Sequence, residues 1–115
     1  MRFQVPRAKL TEYLLNPKHP AGGSKARFFV GLGFAPERPE VLEAALLGHA
    51  REAEEVERRP GFQGQGVLVV LRGPLLGPGG EACVQSVWYL EEEGEAARLV
   101  TAYPWKGKGC GSTTW

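Results

Sequence analysis

His19, Lys25 and Arg27 surround a Gly22-Gly23 pair that leads toward the start of a helix. Free N–H groups of a first helical turn, the positive end of the helix dipole and two cationic side chains would converge there. Glycine would let a ligand approach the backbone closely, so the segment reads as an anion site. A loop histidine beside such a site can exchange protons near neutral pH. The same residues also read as two solvated cations on an outer helix face and a surface histidine between Pro17 and Pro20.

A second set lies in Arg98-Leu99-Val100-Thr101-Ala102-Tyr103, a stretch with strand composition. Regular alternation puts Leu99, Thr101 and Tyr103 on one face and Arg98, Val100 and Ala102 on the other. Thr101 and Tyr103 offer hydroxyls on a rigid element, and Arg98 offers a fork suited to phosphate. The candidate catalytic residues are therefore His19, Lys25, Thr101 and Tyr103, and the candidate phosphate ligands Lys25, Arg27 and Arg98. A half-buried strand whose threonine reflects β-propensity is the competing reading.

Other groups carry less chemistry. Trp88 and Tyr89 read as core more readily than as a base-stacking platform. His49, on the apolar stripe of a helix, reads as a satisfied inner-edge residue. Two histidines in unrelated surroundings and no CxxC spacing imply no metal site, and no cofactor fingerprint occurs. Gly61 to Gly66 is glycine-rich but precedes a strand, unlike a phosphate loop. Glu91-Glu92-Glu93 reads as a solvated hairpin tip.

These residues need elements to hold them. Leu10, Tyr13 and Leu14 recur at helical spacing and stop at Asn16-Pro17; the Pro- and Gly-rich stretch 17–23 is a loop. Ser24 can cap a second helix carrying Ala26, Phe29 and Val30. Pro39 suits the first turn of a third, with Val41, Leu42, Ala45, Leu46 and His49 inside. A strand is expected from about Ala53. Three Val- and aromatic-rich runs follow, 66–72, 82–90 and 98–103, separated by Gly-Pro turns at 73–80 and a polar loop at 91–96. Helices first and antiparallel strands afterwards define an α+β fold: two or three N-terminal helices packed on a three- to four-stranded β-meander. Residues 1–104 are expected to form this single domain, and 105–115 an irregular tail with two tryptophans.

The 115 residues carry 14 Lys plus Arg against 13 Glu, a net charge of +1, so nucleic acid could be held only by a local patch. Scarcity of Asn and Cys, with Pro in the loops, is compatible with heat adaptation or with a GC-rich genome. Cys83 and Cys110, without metal spacing, read as free thiols. With no apolar leader or spanning run, the expected location is cytoplasmic, with no membrane partner.

The run Lys9 to Pro17, His19-Pro20, Gly23 to Phe29, Gly33-Phe34, the Gly73-Pro74 turn, Val87-Trp88 and Arg98 to Pro104 resemble an uncharacterised bacterial domain family. Its layout is similar to the barnase/EndoU/colicin/RelE-like superfold of small metal-independent ribonucleases. That resemblance implies His19 as acid/base, Lys25 and Arg98 as phosphate clamps, and Thr101 or Tyr103 as an orienting hydroxyl. RNA is then the expected partner, with a small antitoxin-like protein besides. The alternative is a non-catalytic protein-binding module of a toxin–antitoxin type system. A homodimer sealed by the aromatic tail fits either.

Overall fold

The computed structural model describes residues 1–16, 18 and 23–107. Its elements run β1 (Arg2–Gln4), α1 (Arg7–Lys9) widening into a π-helical turn (Leu10–Leu14), α2 (Gly23–Gly31), α3 (Pro39–Glu52), β2 (Glu54–Pro60), a 3-10 turn (Phe62–Gly64), β3 (Val67–Gly77), β4 (Gly80–Leu90) and β5 (Ala96–Pro104). The helices precede four of the five strands, β2 to β5, as the change of hydrophobic period requires; β1 comes before them. His19 lies outside the described residues, as does the tail from 108 onward.

The sheet has five strands in the order β1-β5-β4-β3-β2. It is mixed and not a pure meander, because β1 joins the edge of β5 in parallel, Phe3 facing Ala97. Three residues are too few to declare a strand by alternation. Phe3 earns its place by tertiary packing, its ring lying edge-on to Trp88 at 4.9 Å between centroids.

β3 also runs on through Gly73-Pro74, where a turn was expected, and the actual turn falls at its end, before Gly80. Beyond Arg72 the pairing with β2 stops, so Pro74 sits where β3 has no partner on that side, a place a sheet tolerates proline. Gly73 is required for a different reason: a Cβ there would come within 2.8 Å of the Ala53 Cα.

One face of the sheet is covered by the helices. Leu10, Leu14, Phe29, Leu42 and Leu46 pack there against Val69, Leu71, Leu75, Val84, Trp88, Leu99 and Ala102. A single polar chain crosses this core. Trp88 Nε1–H donates to Ser86 Oγ at 2.8 Å, Ser86 lies 2.8 Å from His49 Nε2, and His49 Nδ1 lies 3.2 Å from the Pro74 carbonyl. Only one arrangement of protons satisfies every group: the carbonyl can only accept, so Nδ1 carries the hydrogen and Nε2 accepts from the serine hydroxyl. His49 is therefore a structural residue held neutral. Burial pushes its pKa down, partly offset by the backbone carbonyls of Pro74 and Gly73.

Cys83 is disulfide-bonded and not the free thiol expected from its spacing. Among the described residues no helix is long and apolar enough to cross a membrane.

A buried neutral histidine makes stability depend on pH. Its folded pKa lies below the unfolded value of 6.5, so the unfolded chain binds the extra proton first as pH falls. The stability is complete above that value and is lost as pH drops through the lowered folded pKa, with a slope of at most about 1.4 kcal/mol per pH unit. Urea denaturation of the wild type and of His49→Gln from pH 8 to pH 5 measures this, and the variant should lack that component.

Candidate functional site

The faces of β5 are decided by one irregularity. Val87 pairs with Thr101 but the next residue, Trp88, pairs with Leu99, leaving Val100 as an unpaired bulge. Alternation slips by one there. Leu99 and Ala102 both enter the core, whereas Arg98, Thr101 and Tyr103 pair with Tyr89, Val87 and Gln85 on the opposite face. The expected division, with Thr101 and Tyr103 apart from Arg98, is thus corrected: the candidate polar residues of β5 share a face.

α1 and its π turn lie along the β5 edge beyond the end of β1. Leu10, Leu14 and Leu15 are buried and anchor the turn. The Leu15 N–H bonds the Leu10 carbonyl at 2.9 Å, the five-residue closure that widens a helix. The half-buried Tyr13 then reaches β5, its hydroxyl sharing a 3.0 Å hydrogen bond with Thr101 Oγ1. The ammonium groups of Lys9 and Lys25 lie 5.4 and 5.5 Å from the centre of the Tyr13 ring, within cation–π range. Burial alone would push the phenol's pKa up. The Thr101 hydrogen bond, the Lys25 ammonium and the Lys9 charge together outweigh it and hold the phenol below its ordinary value of 10.0.

This cluster opens into a cleft of about 560 Å³ lined by Lys9, Glu12, Tyr13, Val100 and Thr101. A second hollow, of about 250 Å³, adjoins it through the shared Lys9 and Val100 and contains Arg98, Tyr89 and Phe62. Arg98 is half-exposed and held by Glu91 at 2.9 Å, a surface pair weak enough to exchange for a phosphate.

The sequence candidates divide as follows. Thr101 lines the larger cleft and Arg98 the adjoining hollow, and Lys25 stands beside them at the Tyr13 ring. Arg27 is exposed on α2; two residues of helix turn it about 200° away from Lys25. Tyr103 is on the Thr101 face, but its hydroxyl accepts from Gln85 Nε2 at 2.6 Å. Gln85 Oε1 in turn accepts from Arg72, whose guanidinium lies 3.7 Å from the Trp105 ring centre. Sequence reasoning missed Tyr13, Lys9, Glu12 and Phe62. Tyr13 sits at helical spacing with Leu10 and Leu14 and so passed for a core residue. Nothing in that spacing announces a π turn.

A separate hollow of about 460 Å³ flanks α3, with Gly48, His49, Glu52, Leu76 and Glu81 in its wall. Its carboxylates and neutral histidine suit it poorly to an anion. Among the described residues, no three His, Cys, Asp or Glu side chains are grouped to hold a metal ion.

The phenol's environment can be read directly. Tyrosinate titration by NMR should place Tyr13 below a free tyrosine in the wild type. Thr101→Val with Lys25→Met should move it above, because burial is then left largely unopposed.

A chain of the contact-dependent growth inhibition toxin–immunity protein complex from Klebsiella pneumoniae 342 shares the fold, with a TM-score of 0.67 and 19% identity over 90% of this chain and 93% of that one. No curated protein matches the sequence. Residues 1–106, which hold every described element and both clefts, match the family described as Domain of unknown function (DUF6883), and the chain belongs to that family.

Proposed function

We propose that the domain is a toxin-like ribonuclease that cleaves RNA through its own side chains, by attack of a ribose 2′-hydroxyl on the neighbouring phosphate. The observation that supports this most is the continuous cleft in which Lys9 and Val100 join the Tyr13–Thr101 pair to Arg98. Three cations of this region, Lys9, Lys25 and Arg98, give a near-neutral protein the local positive field that a polyanion needs.

Lys25 and Arg98 hold the non-bridging phosphate oxygens and offset the charge that builds on them. Thr101 orients the attacking hydroxyl. As the 2′-oxygen bonds to phosphorus, its proton passes to the ionised Tyr13 oxygen, the form that the Thr101 hydrogen bond and the Lys25 and Lys9 charges favour relative to a free tyrosine. The bond from phosphorus to the 5′-oxygen then breaks, and the leaving oxygen takes a proton from protonated His19, the acid the sequence suggests. The products are a 2′,3′-cyclic phosphate and a 5′-hydroxyl end. The fold likeness to a chain of a toxin–immunity complex supports a toxin-system setting. A small immunity-like protein that covers the cleft is the partner this reading expects.

Incubation of RNA with the wild type in EDTA should yield cyclic-phosphate ends. His19→Ala and Lys25→Met should each lower kcat/KM by about 100-fold, and Tyr13→Phe should remove one ionisation from the pH profile. A folded wild type that leaves RNA intact would refute the reading in favour of a protein-binding module.

A further inference from the structure

The loop between β2 and β3, Gly61 to Gly66, is left without a role by the chemistry above. It is tightly built: the Gly61 N–H bonds the Gly66 carbonyl at 3.0 Å, the Gly64 N–H bonds Gly61 at 3.1 Å and the Gln65 N–H bonds Phe62 at 3.0 Å. Among the described residues Gln63 is the one non-glycine residue with positive φ, at 55°. Such a conformation persists where the surroundings hold it. Two glycines let the loop close on Tyr89, since a Cβ at Gly61 or at Gly66, where φ is 66°, would come within 2.9 Å of the Tyr89 ring.

This construction carries Phe62, which is 57% exposed and takes no part in the core. Its ring lies 5.4 Å from that of Tyr89 at an angle of 40°, and the Arg98 guanidinium lies 6.0 Å from the Tyr89 ring centre on the neighbouring strand. Phe62, Tyr89 and Arg98 line the smaller hollow together with Pro6, Lys9 and Val100. A hydrogen-bonded loop thus presents an exposed aromatic face beside a cation, next to the lysine shared with the Tyr13–Thr101 cleft.

We infer that the Phe62–Tyr89 hollow is a nucleobase subsite, in which a base of single-stranded RNA stacks on Phe62 while Lys9, shared with the larger cleft, holds the phosphate that joins it to the cleaved nucleotide. This deepens the ribonuclease reading and rests on it. Stacking uses the π face that every base has, so the subsite accepts all four bases and selects single strands over duplex, whose bases are not available to it. The apolar lining and the absence of a bidentate amide pair among these residues are consistent with sequence tolerance.

The test uses the full chain and a short fluorescent oligonucleotide with 2′-O-methyl groups throughout, which lacks the attacking hydroxyl, and the same oligonucleotide with successive bases removed in turn. Wild type should bind the intact strand about tenfold more tightly than one abasic form. Phe62→Ala should lose that difference, and Phe62→Trp should keep it. Thermal midpoints close to wild type, expected of so exposed a residue, show that the variants are folded. Equal affinity of wild type and Phe62→Ala for the intact strand, or no penalty at any abasic position, overturns the subsite. If wild type still cleaves RNA, the ribonuclease reading survives that result, and Phe62 is then free to serve as a protein contact. A wild type that neither binds nor cleaves RNA overturns both, and that outcome is visible without any variant.

Discussion

Val100, the unpaired residue of β5, settles which side chains the last strand gives to the core and which it leaves for chemistry. Because side chains alternate strictly along a strand, one extra residue reverses every position beyond it. Ala102 is thereby buried with Leu99, and Thr101 is turned to the face that carries Arg98. The Tyr13–Thr101 hydrogen bond and the placing of Thr101 and Arg98 in adjoining clefts depend on that reversal. A regular β5 would have put the hydroxyl and the guanidinium on opposite sides of the sheet.

The two faces are correspondingly different solvents. On the helix face the Trp88–Ser86–His49–Pro74 chain is the polar feature of an apolar core, and its proton directions are all determined by what each group can donate or accept. On the other face cations stand beside aromatic rings: Lys9 and Lys25 at Tyr13, Arg72 at Trp105 and Arg98 at Tyr89. The rings carry no opposing charge; Arg98 is in addition paired with Glu91, and Arg72 donates to Gln85. A net charge of +1 thus coexists with Lys9 and Lys25 gathered at one tyrosine.

Helix-first order, the third helix from Pro39, and the strands around Leu68, Val87 and Val100 were all legible in the sequence, because each rests on a local period or on a residue with one strong backbone preference. His49 was legible as an inner-edge residue for the same reason. β1 was not, being a strand only through its pairing with β5 and the packing of Phe3 on Trp88. Nor was the run of β3 through Gly73-Pro74. A proline there argues for a turn until the neighbouring strand is known to have ended.

The amino-acid order by itself determined the class of fold, most of the helices and strands, and the types of residue able to meet a phosphate. Local sequence sets backbone preference and hydrophobic period, and those act over a few residues. Tertiary structure alone decided which of those residues meet. The π turn that delivers Tyr13, the bulge that turns Thr101 and the loop that presents Phe62 each trade regular backbone geometry for contacts between residues distant in sequence. No local period records contacts of that range.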